Sequence, residues 1–357
     1  MRKELNLIIF TGIFIGIAAI TLVLLGNPQN MGFCIACFQR DIVGAIGLND
    51  FREMAWIRPE ILGILLGAFL AAFFTKEFKP EGGSSPISRF LLGMFVMIGA
   101  LVFLGCPLRM ILRLGGGDLN AVVALFGFTG GIIVGVILLK KGFHLGKTQK
   151  QWEVESLVMP AIMLGLLALL IFLPVFKTGG PIFVGTKGHP GCSGTPISQS
   201  IGIVISLAIG LVVGGLAQRS RLCLAGGIRD LILVRSGLLI SGFIAILLVT
   251  LIGNIIFGSF HLGFENQPIA NTAHLWNFLG MALVGVGSTL LGGCPLRQLI
   301  LAGNGNTDSA LTIIGMFAGA AIAHNFGLVK AVSVYGQGAV ILGLLAVIVI
   351  GFVNREK

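Results

Sequence analysis

Two short motifs each occur twice in this chain, about half its length apart. Cys34–Asp41 matches Cys223–Asp230, and 189 residues separate the two leading cysteines. Gly105–Arg109 and Gly293–Arg297 share the sequence Gly-Cys-Pro-Leu-Arg at an offset of 188 residues. Two matches at nearly one offset indicate an internal duplication, which restricts the chain to folds built from two related halves. Four of the six cysteines lie inside these matches, so the duplication also indicates where the chemistry is.

The composition excludes a soluble protein. Only 11% of the residues are charged, against roughly 25% in soluble domains, and 55% are hydrophobic. Glycine pairs four residues apart recur in the apolar runs, as at Gly63 and Gly67, and such pairs allow membrane helices to pack closely. The N-terminal apolar run is too long for a signal-peptide core and is interpreted as the first membrane span. The sequence therefore predicts an all-α polytopic membrane protein.

Ten apolar runs are each long enough, at about 18–23 residues, to cross a bilayer. Shorter segments follow each repeated cysteine and are predicted to be re-entrant helices. Because each half holds an odd number of spans, we expect two inverted repeats of about five spans each, with short helices entering from both faces. The first repeat is predicted at 1–176, a connecting loop at 177–196 and the second repeat at 197–357. The predicted spans are 5–26, 59–75, 87–105, 119–139, 156–176, 197–217, 237–259, 273–293, 308–328 and 335–353.

The distribution of basic residues predicts the orientation in the membrane. With the N-terminus inside the cell, 16 Lys and Arg residues fall in inside segments and 8 in outside segments. Since short cytoplasmic segments carry the excess of positive charge, both termini are predicted to be cytoplasmic. Cys34 and Cys106 would then face outward, while Cys223 and Cys294 would face inward. The net charge of +10 is spread over short loops, so nucleic acid is not an expected partner.

The repeated Gly-Cys-Pro-Leu-Arg motif has the features of a helix start. Proline is favoured at the first helical position, which puts Cys106 and Cys294 at the N-caps of short helices. The free N–H groups and partial positive charge of a helix N-terminus bind anions. Arg109 and Arg297, in the first turn, oppose the helix dipole, so capping does not explain them. We expect both arginines to bind an anion or a nearby acid.

The other motif places an arginine beside an aspartate in both halves, at Arg40 and at Arg229. Charges at membrane depth are costly and are usually paired or functional. Two interpretations stay open. The residues form internal ion pairs that fix the short helices, or the arginines bind a ligand of the protein.

A single buried cysteine is usually a small apolar residue, but four at symmetric positions indicate a shared role for the thiols. A thiol is a weak hydrogen-bond donor with a polarisable sulfur, which suits a soft sulfur- or selenium-bearing anion. Cys37 forms a Cys-x-x-Cys pair with Cys34, but the second copy has Gly226 there, and Cys192 has no repeat partner. Histidines are dispersed and no nucleotide-binding motif occurs, so no metal or other cofactor is expected.

The paired Gly-Cys-Pro-Leu-Arg segments and residues 26–41 resemble the YeeE/YedE family, and the N-terminal segment is most similar to its YedE branch, named for selenium metabolism. The resemblance implies a compact helical bundle in the cell (inner) membrane that takes up thiosulfate or a selenium analogue through a line of thiols. Carried over, these thiols are Cys106 and Cys294, then Cys34, with Cys223 as the repeat equivalent. A cytoplasmic sulfur-carrier protein is a further implied partner.

Three functions remain open from the sequence. A transporter of a small sulfur- or selenium-containing anion accounts for the thiols and arginines together, and makes the chain a transport protein rather than an enzyme. A membrane thiol–disulfide carrier would account for the pair Cys34 and Cys37. A structural or assembly subunit would account for the apolar bundle alone.

Overall fold

The structure is a computed structural model that describes residues 2–172, 184–185, 187–192, 194–329 and 333–355. Its described part contains fourteen α-helices and one two-stranded antiparallel sheet, in which β1 (Glu81–Gly82) pairs with β2 (Gln149–Lys150). The helices are α1 (Arg2–Leu24), α2 (Ile35–Ala45), α3 (Pro59–Phe74), α4 (Pro86–Phe103), α5 (Pro107–Gly115), α6 (Asn120–Lys140), α7 (Glu153–Phe172), α8 (Gln199–Ser220), α9 (Leu224–Val234), α10 (Leu238–Ile256), α11 (His274–Leu290), α12 (Pro295–Gly303), α13 (Thr307–Asn325) and α14 (Val334–Val353).

The helix order agrees with the predicted architecture. Each of the ten predicted spans coincides with a long helix, and the predicted short helices are α2, α5, α9 and α12. Eight helical segments of the described residues are long and apolar enough to cross a membrane, which confirms an all-α polytopic membrane protein. Helix α3, with 16 residues, and helix α13 are not among these eight, so the number of ten spans stays a prediction. Residues 173–176 of the fifth predicted span, and 177–183, 186 and 193 of the predicted connecting loop, lie outside the described residues.

The four short helices do not cross the membrane by themselves. The longest of them has 11 residues and extends about 16 Å, roughly half of the ~30 Å hydrocarbon core. Cys34 and Cys223 are the N-caps of α2 and α9, and each Sγ accepts a hydrogen bond from the backbone N–H three residues later, at 3.3 Å. A thiol thus takes the place of the Ser or Asp oxygen that usually caps a helix. The sequence places these thiols at helix starts in both halves.

The helices α5 and α12 begin at a proline, as predicted. Pro107 and Pro295 occupy the first turn, and the preceding cysteines have extended backbone conformations. Both helices end before a glycine with positive φ, Gly117 at +89° and Gly305 at +94°. A residue with a Cβ rarely adopts that conformation, so these glycines allow the chain to turn into α6 and α13.

Long helices of the two halves pack against each other rather than within each half. The most extensive pairings are α1 with α10, α3 with α8, α4 with α13 and α6 with α11. Glycines make this close approach possible: a Cβ at Gly67 or Gly214 would lie 2.0 Å from a carbonyl oxygen of the facing helix. Small residues are typical of membrane helix interfaces, where packing rather than the hydrophobic effect holds helices together. The two halves therefore share one interlocked core.

The contact between α4 and α11 bears on the predicted inversion of the halves. These helices occupy equivalent places in the repeat, at an offset of 188 residues. A Cβ at Gly99 would lie 3.2 Å from Val284, and one at Gly287 would lie 2.4 Å from Val96. As the position increases along α4, the contacted position decreases along α11, so the helices pack antiparallel. That order is the one expected of inverted repeats, which otherwise stay a prediction.

Candidate functional site

The short helices bring the four repeated cysteines together in two pairs. In the first half, the backbone N–H of Ile35 donates to the Sγ atom of Cys106 at 3.3 Å, which places Cys106 at the start of α2 beside Cys34. In the second half, the backbone N–H of Cys294 donates to the Sγ atom of Cys223 at 3.4 Å, and the two sulfur atoms are 3.6 Å apart. Each pair thus joins a thiol from one short helix to the N-terminus of another.

The two pairs belong to one buried region. Cys34 and Cys106 are at most 1% exposed, and Cys223 and Cys294 at most 4%. Cys106 also lies within the range of an electrostatic interaction with Cys294, so the two pairs approach each other across the halves. Four helix N-termini and four thiols are therefore collected in the interior. All six cysteines of the chain are free thiols.

Arg109 is held firmly by main-chain carbonyl groups. Its guanidinium donates to the carbonyl oxygens of Asn30 at 3.2 Å, Pro268 at 3.3 Å and Ile269 at 3.1 Å. It also donates to the carbonyl of Leu104, and it is fully buried. Its Nη1 atom reaches the Sγ atom of Cys37 at 3.9 Å. These contacts favour a structural role for Arg109, in which its side chain fixes the loops that lie over the cysteines.

Arg297, the repeat equivalent of Arg109, has a different environment. Its Nη1 atom is buried and has no hydrogen-bond partner among the described residues. The guanidinium interacts electrostatically with Cys223 and Cys294, and Arg221 adds a further positive charge nearby. A buried cationic N–H group without a partner is costly unless an anion occupies the position. Arg297 thus has the chemistry of an anion ligand next to the second thiol pair.

The predicted arginine–aspartate pairs both form, in different surroundings. Arg40 lies 2.5 Å from Asp41, and Arg58 donates to the other carboxylate oxygen of Asp41 at 2.7 Å through its Nε atom. All three side chains are at most 3% exposed. In the second half, Arg229 lies 2.9 Å from Asp230, and both side chains are about 30% exposed. The first pair is thus part of the core, and the second lies near solvent.

Sequence reasoning missed Arg58 and Glu60, which flank the proline at the start of α3. Both are fully buried, and the Asn27 side chain connects them: it accepts from Arg58 Nη1 and donates to Glu60 Oε1, each at 3.0 Å. A signal was present, because two opposite charges at the head of a predicted membrane span are unusual and mark a functional or paired site.

A cavity of about 480 Å³ adjoins the second half of the site. Its lining includes Arg219, Ser220 and Arg221, which lie shortly before Cys223 in the sequence, together with the acids Glu4, Glu77 and Asp230. The hydroxyl oxygen of Ser220 is buried without a partner among the described residues. Three acids accompany the two arginines, and Arg219 pairs with Glu77, so the cavity is polar but carries no excess of positive charge.

His189, in the described segment 187–192, covers the first half of the site. Its ring stacks on Trp56 with 4.4 Å between the ring centroids. Burial lowers the pKa of His189 below its usual value, and the positive charge of Arg58 lowers it further. The neutral ring therefore forms, together with Trp56, a cover over Arg58. Cys192, in the same segment, is half-buried, whereas the four repeated cysteines are buried.

In the described part of the chain, no group of three or more His, Cys, Asp or Glu residues is arranged to hold a metal ion.

The pair Cys34 and Cys37 lies at the start of α2, where the Cys37 backbone N–H donates to Cys34 Sγ. It has no equivalent at Gly226, so the redox spacing is confined to the first half.

Comparison with known proteins gives the family. No curated protein sequence matches this chain significantly. The profile of a family described as sulphur transport matches residues 2–107 and 219–353, about two thirds of the chain. The matched ranges contain all four paired cysteines, and they confirm the resemblance to the YeeE/YedE family. The chain therefore belongs to the sulphur transport family of multi-pass membrane proteins.

Proposed function

We propose that this protein takes up a small sulfur-containing anion of the thiosulfate type, with selenium analogues as alternative cargo, and passes it along the two thiol pairs. The observation that carries the proposal is the collection of four thiols at four short-helix N-termini in the bundle interior. Membership in the sulphur transport family supports the same class of cargo.

The chemistry of the pairs suits transient binding. Helix N-termini and arginines attract the negative charge, and each thiol donates a weak hydrogen bond to a terminal sulfur atom. A series of weak contacts lets an ion both enter and leave a path. Among the predicted ligands, Arg297 binds the anion beside Cys223 and Cys294, while Arg109, Arg40 and Arg229 act as supporting charges.

The direction of uptake follows from the predicted topology. With both termini in the cytoplasm of the cell (inner) membrane, Cys34 and Cys106 receive the anion from outside, and Cys223 and Cys294 deliver it inward. The antiparallel packing of α4 and α11 supports this inverted arrangement. The polar cavity next to Cys223 is then the exit, where a cytoplasmic sulfur-carrier protein collects the cargo.

A second candidate function is a membrane thiol–disulfide carrier. It is favoured by the distance of 3.6 Å between the sulfur atoms of Cys223 and Cys294. Two thiols so close can exchange with the disulfide of a partner protein, so that they join as a disulfide while the partner's disulfide takes up the two electrons and two protons and becomes two thiols. The buried setting and the absence of an equivalent of Cys37 in the second half make it the weaker candidate.

The test is uptake by the purified protein in liposomes, with labelled thiosulfate compared against sulfite, sulfate and selenium anions. We expect thiosulfate or a selenium analogue to be taken up, and the Cys106→Ala and Cys294→Ala variants to lose that uptake. Cys192→Ala is the matched control, since Cys192 lies outside the paired thiols, and it should transport like the unmodified protein. Equal uptake by folded Cys106→Ala and Cys294→Ala variants would refute the thiol path. A disulfide trapped with a thioredoxin-like protein would favour the carrier of reducing equivalents instead.

A further inference from the structure

A cluster of buried charges lies behind the first thiol pair, and of its members only Arg40 has a part in the transport path described so far. Asp41 accepts from both Arg40 and Arg58, and the Asn27 side chain links Arg58 to Glu60. Each of these side chains is at most 3% exposed. With both arginines and both acids ionised, the cluster is neutral.

The two acids of the cluster are bonded very differently. Both oxygens of Asp41 accept from arginine side chains, so its negative charge is fully compensated. The Oε1 atom of Glu60 accepts a hydrogen bond from Asn27 at 3.0 Å, and its Oε2 atom is buried without a partner among the described residues. A buried carboxylate oxygen without a donor is costly, and a proton bound there removes the charge. Glu60 is therefore the acid of the cluster that is suited to exchange a proton.

The surroundings of Glu60 contain few other charges that could take this role. Arg58 and Asp41 act on it electrostatically, and the titratable ring of His189 interacts with both of these groups. Helix α8, which packs along α3, carries one charge, Arg219, and this pairs with Glu77 beyond the far end of α3. The remaining charges of the neighbouring helices are Arg40 on α2, Arg297 on α12 and the exposed Glu153 and Glu155 on α7.

The cluster is connected to the thiol pair through helix α2. Cys34 caps this short helix, and Arg40 and Asp41 lie within its next two turns. Arg40 interacts electrostatically with Cys34 and Cys37. An anion bound at the thiols adds negative charge to a region that is already balanced, and a proton on Glu60 offsets it.

The second half of the protein lacks the cluster. Helix α10, the repeat equivalent of α3, contains no Asp, Glu, Lys or Arg between Leu238 and Ile256. The duplicated fold thus forms without a buried acid at this place, and a scaffolding requirement does not explain Glu60. Ionisable groups inside a membrane protein that the fold does not require mark ion or proton pathways.

We propose that Glu60 is a proton-binding site that couples uptake of the anion to entry of a proton. The inference rests on the proposed function. Its carboxylate binds a proton from the side of the first thiol pair when the anion enters, and releases that proton on the opposite side when the anion leaves. Only an O–H bond forms and breaks. Co-transport of protons also reduces the electrical penalty of moving an anion into a compartment that is negative inside.

The experiment uses the full-length protein in liposomes, with thiosulfate as the probe and a pH-sensitive dye inside. We expect thiosulfate addition to acidify the interior. With the membrane potential held at zero and the outside one pH unit more acidic than the inside, one proton per anion should support about tenfold accumulation. Glu60→Gln should lose both, yet still exchange labelled for unlabelled thiosulfate above the protein-free background at uniform pH. The matched control is Glu155→Gln, which changes an exposed acid of α7 and should behave like the unmodified protein.

The outcomes separate this inference from the proposed function. Exchange without any proton movement in the unmodified protein would overturn the proton site while leaving anion transport intact. Gradient-driven accumulation by Glu60→Gln equal to that of the unmodified protein would also overturn it. If the unmodified protein exchanges no thiosulfate or selenium anion, the proposed function itself fails. Since proton movement is measured first in the unmodified protein, the test does not depend on the folding of the variant.

Discussion

The two thiol pairs begin from the same motifs but have different surroundings. Beside Cys34 and Cys106, Arg109 is bound by main-chain carbonyls and the site is sealed. Beside Cys223 and Cys294, the equivalent Arg297 has a buried N–H group without a partner in the described part of the chain, and a polar cavity of about 480 Å³ is close by. The duplication thus preserved the thiols and helix starts, while the surroundings of the two arginines diverged, as our proposal of a structural role for Arg109 and a binding role for Arg297 requires.

The charged pairs also differ between the halves, and those of the first half are more deeply buried. The first half holds the cluster of Asp41 and Arg58 and a second buried pair, Arg113 with Asp118, whose side chains are fully buried at 2.6 Å. The pair Arg229 and Asp230, the second-half equivalent of Arg40 and Asp41, is partly exposed. Because buried pairs fix geometry and exposed pairs do so weakly, the first half is the more rigidly closed side of the path.

The largest expected effect separates the two aspartates. Asp41→Asn leaves two buried arginines without their counter-charge and should lower the free energy of unfolding by about 3–5 kcal/mol. Asp230→Asn is the matched control, and removal of its partly exposed pair should cost at most about 1 kcal/mol. Thermal unfolding of both variants in detergent measures the difference. Equal destabilisation would show that the two halves are closed alike.

A smaller effect separates the two arginines of the repeated motif. Arg109→Lys loses several carbonyl contacts that a single ammonium group does not satisfy, and should destabilise the protein by about 2–3 kcal/mol. Arg297→Lys removes a planar donor that holds no such contacts, so the fold should stay close to unmodified stability while thiosulfate uptake falls about tenfold.

This prediction is checked by unfolding and uptake measured on the same two preparations. A stable Arg109→Lys protein with lost uptake, beside a transport-competent Arg297→Lys protein, would reverse the roles assigned here. The comparison would then place the anion at the first pair rather than the second.

Much of this architecture was predictable because the repeated motifs and the apolar runs are local features of the sequence. Pro107 and Pro295 start helices for a local steric reason, and the glycines that follow end them, so α5 and α12 could be located from sequence. The apolar runs likewise located the ten long helices. The family profile also covers the residues on which the resemblance was based.

The environments of the site residues were not predictable, because they depend on contacts between distant segments. Arg109 is satisfied by carbonyls of Pro268 and Ile269, about 160 residues away, which no local pattern indicates. The burial of Glu60 likewise depends on α3 packing against α8 of the other half. The sequence showed identical motifs, and only the fold distinguishes what surrounds them.

The smallest expected change in stability tests whether the thiols serve the fold or the cargo. Cys34→Ser and Cys223→Ser keep a side-chain acceptor at the N-caps of α2 and α9, and an oxygen caps a helix at least as well as a sulfur. The free energy of unfolding should therefore change by less than about 1 kcal/mol. A hydroxyl is a poorer match for the polarisable sulfur of thiosulfate, so uptake should fall about tenfold in both variants. Cys192→Ser controls for the loss of a thiol outside the path. If both serine variants transport at the unmodified rate, the thiols are caps only, and the shared feature of the two halves is the helix N-terminus rather than the sulfur.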